Sequence, residues 1–135
     1  MVGIVIVAHG GLSEELVSTT RLIIDGELPA VTSVAISGLE EPHEIKQSIE
    51  QAIAQVDDGD GVVVFTDMFG GTPSNIALSF LSENEVEVIS GVNLPMLVEM
   101  VYTREGKTLS EVAGQLADTG RKSIQTASQY LRGQD

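Results

Sequence analysis

Short, almost wholly apolar runs alternate along this chain with longer stretches whose apolar residues recur at helical spacing. Val2-Gly3-Ile4-Val5-Ile6-Val7-Ala8 is mostly β-branched and too short for a buried helix, so it reads as a strand covered on both faces. Leu12, Leu16, Val17, Thr20, Ile23 and Ile24 then keep helical spacing, with Gly26 as the stop. Val31 to Ile36 is a weaker strand, interrupted by Thr32 and Ser33. Ile45, Ile49, Ala52, Ile53 and Val56 form a second helical stripe, with Pro42 before it and the Asp57-Asp58-Gly59-Asp60-Gly61 cluster after it. Val62 to Thr66 is the second strongly apolar strand, and Pro73 opens a short helix carrying Ile76, Ala77, Phe80 and Leu81. Val86 to Ile89 contains Glu87, which suits a strand near a sheet edge. The pattern is helical again from Leu94, and apolar positions from Leu109 to Leu131 hold that spacing, with Gly114 and Gly120 as the places where one helix would break.

This alternation predicts an α/β fold of three layers, a mainly parallel four-stranded sheet with helices on both faces. The two most apolar strands, the first and third, belong in the centre, which gives the order 2-1-3-4. Its 135 residues suit one domain, 1–135. The order sets the loop after strand one beside the loop after strand three, at the switch point where such sheets bind ligands.

Charge and composition narrow the partners. Twenty acidic residues against seven lysines and arginines give a net charge of −13, which argues against nucleic acid and anionic membranes and suits a basic protein surface. The absence of cysteine excludes disulfides and thiolate chemistry and is compatible with the cytoplasm. The amino terminus has no basic n-region, and its apolar run is far too short to span a bilayer.

Against this background His9 stands out, a polar ring at the carboxyl end of the first strand with Gly10 and Gly11 opening the turn. On its own it is equally a strand-end histidine with satisfied hydrogen bonds. The loop after strand three, Asp67-Met68-Phe69-Gly70-Gly71-Thr72-Pro73, adds a carboxylate leaving that strand as His9 leaves the first. A carboxylate that binds one ring nitrogen fixes the tautomer and leaves the other nitrogen nucleophilic. Thr72 as N-cap and Pro73 as first helical residue make a helix start that attracts anions, and the Thr72 hydroxyl can donate to a phosphoryl oxygen. Gly-Gly-Thr-Pro alone is an ordinary strand–turn–helix junction; beside His9 and Asp67 it equips a phosphohistidine. His43 lacks partners at metal-ligand spacing, and no metal or other cofactor is expected.

Val7-Ala8-His9-Gly10, Asp67 to Pro73 and Gly91-Val92-Asn93-Leu94-Pro95-Met96-Leu97, in that order, resemble the IIA domain of the mannose-family phosphoenolpyruvate:sugar phosphotransferase system. The resemblance covers most of the chain and weakens after about residue 104. It implies that His9 takes a phosphoryl group from the phosphocarrier HPr and passes it to a histidine of a IIB partner. Asp67 would then orient the imidazole, and Thr72 would stand where a serine is often found. Any contact with a membrane permease would come through partners alone. Met68 and Phe69 either tuck into the core or form an exposed docking patch, the reading favoured here. Asn93 and Pro95 border the same face or serve as cap and helix start. The resemblance also implies a homodimer, in some relatives with an exchanged strand; the apolar pattern after residue 108 fits such an interface or the chain's own core.

Other functions remain open from sequence. A small tetrapyrrole chelatase shares an Ala-His-Gly turn but usually follows it with Ser-Arg, where this chain has Gly11-Leu12. Phosphoglycerate-mutase-like enzymes use Arg-His-Gly, and a flavodoxin needs a Ser/Thr-rich loop after strand one. Within the family, a regulatory phosphorylation sensor and a phosphodonor to a dihydroxyacetone-kinase subunit stand beside sugar uptake.

Overall fold

The computed structural model describes residues 1–133. Its elements are β1 (Gly3–His9), α1 (Leu12–Ile24), β2 (Val31–Ile36), α2 (Pro42–Val56), β3 (Val62–Thr66), α3 (Thr72–Leu78), β4 (Val86–Ser90), α4 (Leu94–Thr103), α5 (Leu109–Lys122) and α6 (Ala127–Leu131). The four strands form one parallel sheet in the order β2-β1-β3-β4, as the pattern predicts.

Strand alternation divides the core in two. Ile4, Ile6, Val63 and Phe65 pack against Val17 of α1, Met96, Leu97 and Met100 of α4, and Val112 and Leu116 of α5. Val5, Val7, Val62 and Val64 face the other way, against Ile45, Ile49, Ala52 and Val56 of α2 and Ala77 of α3. Both faces of β1 and β3 are therefore covered, which is why these strands read as unbroken apolar runs. Each such fully buried aliphatic side chain contributes roughly 1.5–3 kcal/mol.

Four local expectations are corrected. In α1 the buried positions are Ser13, Val17 and Thr20, whereas Leu12 and Ile23 are exposed. The Ser13 hydroxyl donates to the Val34 carbonyl (3.2 Å) and that of Thr20 to the Leu16 carbonyl (2.7 Å), so small polar residues lie against the sheet at little cost. The left-handed residue ending the helix is Asp25 (φ 51°), not Gly26. Phe80 and Leu81 fall beyond the end of α3, in the turns that follow it. The helical pattern after Leu109 does break, but at residues 123–126, and both Gly114 and Gly120 lie inside α5. A Cβ on Gly120 would stand 2.6 Å from the Met96 sulfur, so this glycine permits close packing of α5 on α4.

At the amino ends of the strands, Arg104 is buried with no carboxylate partner among the described residues. Its guanidinium donates to the carbonyls of Val2 (3.1 Å), Ala30 (3.5 Å) and Pro29 (2.9 Å), tying the starts of β1 and β2 to the end of α4. Desolvation lowers its pKa. Structural anchoring thus lies at one end of the sheet and the candidate chemistry at the other.

Candidate active site

His9 ends β1, and the next residue, Gly10, donates its N–H to the Ile36 carbonyl of β2 (2.9 Å). On its other side β1 pairs with β3 through Val7 and Thr66, so Asp67 leaves β3 beside His9. One oxygen of Asp67, Oδ2, accepts the His9 backbone N–H at 2.9 Å and meets ring Nδ1 at 2.8 Å. The other, Oδ1, accepts the N–H of Met68 at 2.9 Å. Partial burial would raise the Asp67 pKa, but the His9 backbone N–H, the ring and the Met68 N–H outweigh it and hold the carboxyl below its usual range.

An ionised carboxylate only accepts hydrogen bonds, so the imidazole proton sits on Nδ1. In the neutral ring Nε2 then carries the lone pair, and it has no protein hydrogen-bond partner among the described residues. The His9 side chain is 53% exposed and that of Asp67 only 17%, so a sheltered group aims an accessible one.

Gly70 (φ 107°) and Gly71 (φ 83°) shape the following loop in backbone conformations that a side chain would strain. Gly71, not Thr72, is the N-cap of α3, which puts Thr72 and Pro73 at the first and second helical positions. The Thr72 hydroxyl therefore caps nothing and makes no protein hydrogen bond among the described residues. The organising side chain is Ser74, buried in the first turn; its Oγ accepts the Gly70 N–H (2.8 Å) and donates to the Gly71 carbonyl (3.3 Å). Sequence reasoning missed it, although a serine closely following a Gly-Gly turn is a signal for such back-bonding. Met68 and Phe69 are both exposed, which settles their placement outside the core. Pro95 lies in the first turn of α4. Asn93 caps that helix: its Oδ1 accepts the Met96 N–H (3.2 Å), and its amide donates to the Gly120 carbonyl (3.1 Å) and Ser123 Oγ (3.2 Å). His43 lies on the first turn of α2.

Residues 3–117 match the family model EIIA-man, described as the PTS system fructose IIA component. The chain belongs to the EIIA-man family. It is 30% identical over 132 residues to the fructose-specific EIIA component of Bacillus subtilis strain 168, covering 97% of this chain and 90% of that protein. It is 31% identical over 125 residues to the mannose-specific EIIAB component of Escherichia coli K12; the match takes in 91% of this chain but only 38% of that longer relative. The crystal structure of a phosphotransferase system component EIIA from Streptococcus agalactiae superposes with a TM-score of 0.83 at 25% identity, over 95% of this chain and 98% of the other. This EIIA-man chain is thus a IIA component of a phosphotransferase system, and the fold its motifs imply is the fold observed. Among its described residues no helix is long and apolar enough to cross a membrane.

Proposed function

We propose that this IIA component carries a phosphoryl group on Nε2 of His9, accepting it from HPr and delivering it to a histidine of a IIB protein. The reading rests above all on the double hold of one Asp67 oxygen on the His9 backbone and ring. In the first step the Nε2 lone pair forms a bond to phosphorus as the P–N bond of the donor phosphohistidine breaks, and its electron pair returns to the donor ring. The proton on Nδ1 stays in place, and the Asp67 carboxylate stabilises the positive charge that the phosphorylated ring acquires. The second step repeats the exchange with the acceptor ring as nucleophile. Because the phosphoramidate is already activated, the protein's contribution is alignment and fixed charge.

In this reading the unengaged Thr72 hydroxyl donates to a phosphoryl oxygen, while Gly10, Gly70 and Gly71 leave room for the group. Met68 and Phe69 supply an apolar contact beside it, and Asn93 holds the neighbouring helix start. The domain, residues 1–135, works in the cytoplasm as a homodimer that reaches a permease only through its partners. The open edge of β4 supports that assembly: a groove beside it is lined by Phe69, Glu87, Ile89, Ser110, Ala117 and Arg121. Fructose and mannose appear in the relatives' names, so the sugar follows from the IIB partner.

The test is a relay. Phospho-HPr is mixed with the protein, the labelled protein is isolated, and a IIB protein is added. The expected result is acid-labile phosphate that passes from this chain to IIB. Label that enters but never leaves in the presence of several IIB proteins would contradict the carrier role.

A further inference from the structure

The loop between β3 and α3 is held by hydrogen bonds rather than by packing. Residues 68–72 are all exposed, and two glycines follow each other inside that stretch. A Cβ on Gly70 would meet no atom within 4 Å, and one on Gly71 only the Pro73 ring at 3.9 Å. Both glycines hold positive φ, yet no neighbouring side chain presses them into it. A Gly-Gly pair left to itself samples many conformations, because it has no Cβ to restrict φ and ψ.

Ser74 supplies what packing does not. It is 3% exposed in the first turn of α3, although Thr72 two residues earlier is open to solvent. Its Oγ accepts the Gly70 N–H (2.8 Å) and donates to the Gly71 carbonyl (3.3 Å), so one hydroxyl clasps the loop across both glycines. The Gly71 carbonyl also accepts the Asn75 N–H (3.2 Å), which starts the helix. That carbonyl and the Thr72 N–H belong to one rigid peptide plane. Holding the carbonyl therefore fixes the direction in which Thr72 enters α3, and with it a hydroxyl that the fold leaves uncommitted. The other end of the loop is tied separately, by the Met68 N–H on Asp67 Oδ1 (2.9 Å).

Given the phosphocarrier reading, on which this inference rests, we propose that Ser74 is a positioning residue for phosphoryl transfer, holding the Thr72 hydroxyl where the phosphoryl group meets His9. The Ser74 hydroxyl is spent on two backbone partners, so it acts through Thr72 and not on the phosphoryl group itself. Asp67 then places the histidine and Ser74 the threonine. A group that acts by alignment changes the rate of the step more than the binding of the donor. A serine that only stabilised α3 would slow transfer by the same factor whether or not Thr72 kept its hydroxyl.

The test is a double-mutant cycle in single-turnover transfer from phospho-HPr, using wild type, Ser74→Ala, Thr72→Val and the double variant. Ser74→Ala should slow transfer about tenfold, inside the roughly hundredfold that a misplacement of about 1 Å can cost, and leave half-saturation by phospho-HPr within about twofold. In the Thr72→Val background the same change should slow transfer by less than about twofold, because the hydroxyl it positions is gone. An equal factor in both backgrounds overturns the proposal. So does a wild-type rate in either single variant. A second readout needs no transfer at all: by NMR, the Gly70 amide should lose its protection from solvent exchange in Ser74→Ala while the amides of β1 and β3 keep theirs. A Gly70 amide that exchanges at its wild-type rate overturns the clasp. If wild type takes no phosphoryl group from phospho-HPr, the functional reading fails, and that result is distinct from an active wild type whose cycle shows no coupling.

Discussion

Both the main chain and the ring of His9 end on a single oxygen of Asp67, so this carboxylate sets the position of the histidine as well as its tautomer. Asp67→Ala should leave a folded protein that accepts phosphate 10–100-fold more slowly, the usual loss when a group that orients a functional histidine is removed. Stopped-flow transfer from phospho-HPr would measure it, and a normal rate would remove Asp67 from the mechanism. Thr72 makes a finer distinction. Its hydroxyl is uncommitted in the fold, so Thr72→Ser should be nearly silent and Thr72→Val slower in the same assay; equal rates would mean the hydroxyl does nothing. The His9–Asp67 pairing was legible because two strand ends in a known order must lie side by side. Ser74 was not, because its importance depends on a loop closing back onto it through the Gly70 N–H.

At the scale of the elements, apolar period alone predicted the four strands and their order. It erred where polar groups found partners through tertiary contact. Ser13 is buried against the Val34 carbonyl, so the inward face of α1 is rotated from its most apolar stripe. The end of α5 was open to a closer reading, since Thr126 and Gln129 form a capping box whose Thr-x-x-Gln spacing marks a new helix start. Arg104 is the least predictable residue, because its three carbonyl partners come from two distant strand starts. Arg104→Met should destabilise the protein by about 3 kcal/mol in urea, through carbonyls left without a charged donor, while phosphoryl transfer at the far end of the sheet persists. The Glu40 carboxylate braces the loop 37–41 by accepting the N–H of Ser37 (3.1 and 2.9 Å) and of Gly38 (3.0 Å), and this brace carries a pH signature. The Ser37 N–H is the main cause that holds Glu40 down from 4.5 to about 2. A depressed carboxyl stabilises above its unfolded value and loses that contribution as pH falls towards the folded one. Wild type should therefore exceed Glu40→Gln in stability at pH 6, with the difference shrinking below about pH 4.5 and gone near pH 2. A difference independent of pH would place the effect elsewhere.

For the whole molecule, one end of the sheet is tied by Arg104 while the other keeps its polar groups and apolar loop tips in solvent. A chain of net charge −13 should meet a basic partner at a rate that falls with ionic strength. The apolar stripe of α5 that could have formed a subunit interface is taken up by the chain's own core through Leu109, Val112, Ala113 and Leu116. The short α6 buries none of its residues and leaves Tyr130 and Leu131 exposed. Everything proposed for the molecule turns on phosphorylation of His9. The most direct measurement is intact mass after incubation with phosphoenolpyruvate, Enzyme I and HPr. The account predicts one added phosphoryl group, labile in acid and absent from His9→Ala. A folded protein that gains no phosphoryl group while HPr is fully phosphorylated, or a His9→Ala variant that still gains one, would contradict it.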